Sequence, residues 1–501
     1  MTQSTTTQAT SAIAGEGTIK STVTKPAKEI SYKSLIATVI FGLILWFISP
    51  PEGVTQNAWH LLAIFLATIV GIITKAASMG TMSVVAMALV ALTRVLDPNP
   101  VMAITKTLSG FGNSLIWLIV MSFFIARGFI KTGLGTRIAC WFIKAMGKTP
   151  LGLAYSLSIS ELVLAPAIPS NTARSGGIIY PIIKSIAGMF DTDPANDASR
   201  KKIAAFLTLS AYNANIITST MFLTATASNP LCQRFAADLG INITWGSWAM
   251  AAMVPGLVAL IVTPLIIRKV LPPTLKDTKQ ALVIVNESLK EMGPISKNEW
   301  FMVATFFILL FLWILGGLFG IDATTTAFIG LSILLLGSVL NWEDVKSEKA
   351  AWDTMVWFAA LVMMASNLNT LGFIGWFSNW IKGYIASLSW LAAFPIIIVV
   401  YFYSHYMFAS ATAHVAAMYA ALLGVGVSLG IPPYLLAYML GFIGSVFGTL
   451  THYGHGPAPV LFGSGYVTVK EWWTVGAVLS IFFILNWMVV GGAWFKVLGL
   501  Y

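Results

Sequence analysis

Charge is scarce in this sequence. Only 10% of its 501 residues are Asp, Glu, Lys or Arg, against about 25% in a soluble domain. A soluble fold of that composition has too little polar surface to stay in solution, so a water-soluble enzyme or binding module is excluded. Cysteine is scarcer still. Cys140 and Cys232 are the two present, and they offer neither a disulfide framework nor metal-ligand spacing. The histidines of "HYGHG" (452–456) lie three apart, with no Cys or acidic residue clustered beside them, so no metal and no cofactor is expected. A nucleophile–base pair with recognisable spacing is also missing, which argues against an intramembrane enzyme. The first 33 residues lack a cleavable-signal pattern. They are rich in Thr, Ser and Ala and carry scattered lysines, the composition of a disordered tail.

Long apolar runs are what the chain has in abundance. Hydrophobic residues make up 57%, and mean hydropathy is +0.82. Runs such as "YKSLIATVIFGLILWFIS" (32–49) and "WFMVATFFILLFLWILGGLFG" (300–320) have the length of transmembrane helices, about 17–25 residues. The chain reads as an all-α polytopic membrane protein embedded in the lipid bilayer. Its net charge of +10 does not indicate nucleic acid. The basic residues fall in short segments between spans, the pattern that orients helices in a bilayer. A cytoplasmic N-terminus is therefore expected.

A hydrophilic stretch separates two halves: 34–270, a linker at 271–298, and 299–501. Sliding the sequence by 240 superimposes Asn113 on Asp353, Trp117 on Trp357, Ser170 on Ser410, Thr172 on Thr412 and Ala173 on Ala413. "ASNPL" (227–231) falls loosely on "GHGPA" (454–458) at an offset of 227. The polar loop "DTDPANDASRKK" (191–202) in the first half accounts for the change of offset. An internal repeat in a membrane protein marks an alternating-access transporter with its site where broken helices meet near the midplane. An odd number of crossings per half would require inverted repeats, and inverted repeats are expected. Segments 113–134 and 353–372 fit single crossings poorly and are expected to be re-entrant hairpins.

The most unusual stretch is "APAIPSNTARSGG" (165–177). Pro166 and Pro169 interrupt a helix, and Ser170, Asn171 and Thr172 are residues that cap a new one. The restarted helix presents N–H groups and a positive dipole end, which favour an anion. Ser410, Ala411 and Thr412 repeat the pattern in the second half. Asn229, Pro230, Gly456 and Pro457 mark further breaks that support these tips. Arg174 and His414 occupy one repeat position, two residues past each tripeptide, and are read as fixed cations holding a dianion. Glu161 also lies in an apolar span, with no partner visible from sequence.

The motifs "SNTARSGG", "FLTATASNPL", "TGLGTRIA" and "THYGHGPAPVLFGSGYV" in this order resemble the divalent anion:sodium symporter (DASS) superfamily over about residues 35–500. The nearest branch resembles the 2-oxoglutarate/malate translocators and citrate/succinate antiporters. The resemblance implies a homodimer, a scaffold domain and a moving transport domain, and an elevator mechanism. It also implies two Ser-Asn-Thr tripeptides, each holding one carboxylate of a dicarboxylate. The first is intact at Ser170, Asn171 and Thr172. The second departs at Ala411. Sodium-independent exchange of C4–C5 dicarboxylates is the expected function; sodium- or proton-coupled symport is the alternative.

Overall fold

A computed structural model describes residues 30–385 and 389–501. Residues 1–29 of the expected tail lie outside the described residues. Among those described there are helices and turns but no strand. Among the described residues, eight helices are long and apolar enough to cross a membrane, or nine if one bent pair counts as a span.

The first half opens with α1 (Tyr32–Phe47), α2 (Gln56–Ile73), α3 (Met79–Thr93) and the short α4 (Pro100–Thr107). Next comes α5 (Ser114–Thr132), capped by the Asn113 side chain, which accepts the Leu115 N–H at 3.0 Å. This span is one continuous helix, so the re-entrant hairpin expected at 113–134 is not there. Its apolar faces pack all round, and Gly133 ends it at φ 75°, a left-handed turn that favours glycine. α6 (Leu134–Met146) follows directly. The repeat builds the same joint in the second half. There α17 (Lys349–Thr370) turns at Gly372 (φ 81°) and bends by 66° into α18 (Phe373–Ile385), so 353–372 is also helix rather than hairpin.

The re-entrant element lies further on. α7 (Pro150–Leu164) ends at the double-proline break, and the chain restarts as a π-helical turn, Ala173–Ile179, running into α8 (Tyr180–Met189). Both ends of this unit are held by one segment of the linker. Thr278 donates from its N–H to Lys148 O (3.0 Å) and from its hydroxyl to Gly147 O (2.8 Å), at the start of α7. Thr274 and Leu275 donate to Lys201 O and Lys202 O. Lys202 Nζ in turn donates to Phe190 O (3.0 Å), at the end of α8. The α7–α8 unit therefore enters and returns on one side.

The connection from α8 contains the single turn α9 (Asp197–Arg200) and leads to α10 (Ala204–Met221), α11 (Ser228–Ala237) and α12 (Trp245–Val270). In the linker, α13 (Ala281–Met292) lies against α6 and α8, and α14 (Lys297–Leu315), α15 (Ala323–Leu336) and α16 (Trp342–Ser347) precede α17. The second hairpin is α19 (Trp390–Tyr403) and α20 (Ala411–Ser428). Its limbs run antiparallel: Ser404 meets His414 at 2.9 Å near the tip, and Ile397 packs on Gly426 further down. α21 (Pro433–Val446), α22 (Ala458–Phe462), α23 (Val469–Leu485) and α24 (Gly492–Val497) complete the chain. Residues 190–203 join α8 to α10, whereas 429–432 join α20 to α21. The longer first loop is where the repeat loses its register.

Candidate substrate site

The first tip is built on the break that the prolines impose. Ser170 Oγ accepts the Ala173 N–H at 3.1 Å, so it caps the restarted helix as its residue type requires. Ser410 does the same for α20, accepting from Ala413 N at 3.3 Å. Ser170, Asn171, Thr172, Ser410 and Thr412 are partly accessible, and Ala411 is buried. α10 ends at Met221, and the broken segment 222–227 is held by the buried Asn229, whose Nδ2 donates to Ser219 O (2.7 Å) and Phe222 O (2.8 Å). Pro230 is buried in the first turn of α11, and Pro457 is buried just ahead of α22.

Both tips converge on the opposite break, residues 451–457. Asn171 Nδ2 lies 3.0 Å from His455 Nδ1. A Cβ on Gly456 would stand 2.3 Å from Thr172 Oγ1, so a side chain there meets the Thr172 hydroxyl and glycine leaves it room. From the second hairpin, Tyr406 O accepts the Tyr453 hydroxyl at 3.1 Å, and His405 Nε2 lies 2.5 Å from where a Gly454 Cβ would be. The two hairpins thus meet on one segment. The hydroxyls of Ser410 and Thr412 make no hydrogen bond to the first tripeptide among the described residues.

Arg174 is fully buried and not free. Its Nε donates to Glu161 Oε2 at 3.0 Å. Its other nitrogens donate to Ile168 O, to Ala225 O (2.7 Å) and to Ser219 Oγ (2.8 Å). Asn215 Nδ2 reaches both Glu161 oxygens at 3.0 Å and Asn171 O at 3.1 Å. This corrects the sequence reading in two ways. Glu161 has a partner, and the cation at Arg174 is compensated. A buried ion pair is tolerated when hydrogen bonds satisfy its remaining groups, and here the carbonyls of two broken helices do so. The geometry also alters the reading of His414, a buried ring between Phe408 (4.3 Å) and Phe447 (4.5 Å). One nitrogen meets Ser404 Oγ at 2.9 Å and the other His405 Nδ1 at 3.1 Å. Both are engaged within the protein, so the ring is not set out as a cation facing a guest.

Sequence reasoning missed Asn215 and Ser219. The run "SAYNANIITST" (210–220), wholly buried, held the signal: several polar side chains on a helix with no aqueous face. Nor does the spacing of "HYGHG" show that His455 neighbours Asn171.

Paired hairpins whose tips meet broken helices inside a membrane bundle form a transporter's architecture, with the site among interrupted helices. The chain belongs to the DASS superfamily: residues 29–501 match the family described as the sodium:sulfate symporter transmembrane region. It is 56% identical over 468 residues to the Bacillus subtilis protein named "Putative malate transporter YflS", covering 93% of this chain and 96% of the relative. It is 46% identical to dicarboxylate transporter 1, chloroplastic, of Arabidopsis thaliana, over 95% of this chain and 85% of that one. The solved YdaH transporter of Alcanivorax borkumensis shares the fold at a TM-score of 0.56 and 14% identity, covering 88% of this chain and 98% of its own. These relatives are named as transporters, and this chain is a transporter rather than an enzyme.

The family's description implies a sodium ion. Carbonyl oxygens gathered at a helix break are suitable ligands for one. Here, however, Ile168 O and Ala225 O receive guanidinium N–H groups. An alkali ion does not fit at that pair while Arg174 holds it.

Proposed function

We propose that this protein exchanges C4–C5 dicarboxylates, such as malate, succinate, fumarate and 2-oxoglutarate, across the cell membrane without sodium. The relatives named for malate and dicarboxylates support the substrate class. One observation carries the sodium independence: a guanidinium fixed in the chain sits on the carbonyls of Ile168 and Ala225, where a mobile cation is otherwise suited. Because Glu161 compensates Arg174, the case for exchange rests on the charge of the substrate itself. Moving one charge through 100 mV corresponds to about 2.3 kcal/mol, so a dianion entering an inside-negative cell alone works against about 4.6 kcal/mol. Swapping dianion for dianion moves no net charge.

In this reading Ser170, Asn171 and Thr172 hold one carboxylate, and Ser410 and Thr412 the other, with Ala411 leaving room between them. Asn229, Pro230, Gly456 and Pro457 keep the breaks open. The transporter works as a homodimer with its N-terminus in the cytoplasm, the two hairpins moving with α10 and α21 past a scaffold in an elevator motion. The family's description as a sodium:sulfate symporter favours a second reading, sodium-coupled uptake. Counterflow in proteoliposomes separates the two. Exchange needs internal dicarboxylate and ignores a sodium gradient; symport does the reverse.

A further inference from the structure

Among the described residues, Asn171 is the only member of the first tripeptide whose side chain bonds to the other half of the protein. Its Nδ2 lies 3.0 Å from His455 Nδ1 and 3.4 Å from Thr226 Oγ1, while its Oδ1 lies 3.4 Å from Thr172 Oγ1. His455 is 2% exposed, and Gly448 leaves no space beside its ring, since a Cβ there would lie 2.6 Å from His455 Cδ2. The ring is therefore fixed in place. In the arrangement shown, the amide N–H groups point at His455 and Thr226, and the oxygen lies on the Thr172 side.

A carboxylate only accepts hydrogen bonds. It needs the N–H end of the Asn171 amide turned toward it. A half-turn of the carboxamide exchanges its two ends with little change in shape, and His455 Nδ1 decides which end it meets. If Nδ1 carries the proton, it donates to Oδ1, and the N–H groups face the Thr172 side. If Nδ1 carries the lone pair, it takes an N–H and leaves the oxygen there instead. The repeat supplies an independent observation. The offset of 240 puts Ala411 on Asn171, and the offset of 227 puts Ser228 on His455. The repeat-related pair, Ala411 and Ser228, lacks both the amide and the ring.

Resting on the dicarboxylate reading above, we propose that His455 is a positioning residue that sets which end of the Asn171 carboxamide the substrate meets. With the proton on Nδ1, the first tripeptide becomes a donor site for one carboxylate. The second tip, without an amide at Ala411, holds the other through hydroxyls and backbone alone.

The test is malate counterflow into proteoliposomes of the full chain, comparing wild type, His455→Ala, His455→Asn, His455→Gln, Asn171→Ala and the Asn171→Ala/His455→Ala double variant. A lost hydrogen bond to a charged group corresponds to about a tenfold or greater change, so His455→Ala raises KM at least about tenfold with the maximal rate kept. The Asn side chain overlays Nδ1 and restores KM; Gln overlays Nε2 and does not. The double variant is no worse than Asn171→Ala, because the two residues act as one unit. Additive losses overturn the proposal, as does a fall in maximal rate shared by the Ala and Asn variants. A wild-type protein that exchanges no malate overturns the dicarboxylate reading together with it, so the two failures are told apart.

Discussion

Removing the Arg174 guanidinium is the most informative single perturbation of this transporter. In Arg174→Ala the Glu161 carboxylate loses its ion-pair partner, and Ile168 O, Ala225 O and Ser219 Oγ lose a donor. Breaking a buried pair from one side destabilises by about 3–5 kcal/mol, and each orphaned buried carbonyl adds about 1–3 kcal/mol. Glu161→Gln leaves the guanidinium uncompensated, at about 3–5 kcal/mol. The double variant Glu161→Gln/Arg174→Ala removes both charges and is more stable, by several kcal/mol, than the sum of the single losses implies, because neither charge is left buried alone. A second consequence is specific to Arg174→Ala. It leaves two carbonyls, a hydroxyl and a carboxylate around one vacated volume, a set of oxygens suited to an alkali ion. Sodium at about 100 times its Kd would add about 2.7 kcal/mol to the stability of that variant. The assay is the thermal midpoint of detergent-purified protein in sodium chloride and in choline chloride at equal ionic strength. Wild type is indifferent to the cation, and Arg174→Ala is stabilised by sodium. A wild type that responds to sodium as strongly as the variant refutes the reasoning, and so do strictly additive single losses.

Three further outcomes are expected. Gly456→Ala places a methyl 2.3 Å from Thr172 Oγ1; it forces the first tip from the 451–457 break and reduces exchange by at least about tenfold, read as initial counterflow rate. Asn229→Ala orphans Ser219 O and leaves Phe222 O to the Ala225 N–H alone; it lowers stability by about 1–3 kcal/mol, read as a lower thermal midpoint. Lys131 and Asp344 pair at 2.6 Å. Burial pushes the Asp344 carboxyl up, but the Lys131 ammonium and the Asn341 N–H outweigh it and hold its pKa below the ordinary value. The pair's stabilisation is thus present above the unfolded pKa of about 4 and fades as pH falls through the lower folded value. Asp344→Asn therefore lowers the midpoint at pH 7 by an amount worth under about 1 kcal/mol, because Lys131 is well exposed, and the gap from wild type closes in acid.

Much of this architecture is legible in the residues because the bilayer imposes simple rules. Apolar runs give the spans, Pro166 and Pro169 give the break, and Ser170 and Ser410 are caps by type and by geometry. What the sequence hides are relations that appear only when the chain folds back. Glu161 and Arg174 are thirteen residues apart on opposite limbs of a hairpin, a spacing that no single helix face brings together. The hairpin itself reads as a span with a kink, since periodicity does not report which side a helix returns to. Only Thr274, Leu275, Thr278 and Lys202, holding both its ends, reveal that. The segment 113–134 misleads for the opposite reason: Arg127 in an apolar helix resembles an interruption, yet α5 runs unbroken to Gly133.

The central claim is that a dianion is exchanged for a dianion with no alkali ion taking part. Its most direct test is uptake of labelled malate into proteoliposomes, with and without internal malate, crossed with an inward sodium gradient and with none. The account predicts uptake in both malate-loaded conditions at equal rates, and none into empty vesicles. Sodium-driven accumulation into empty vesicles would contradict it.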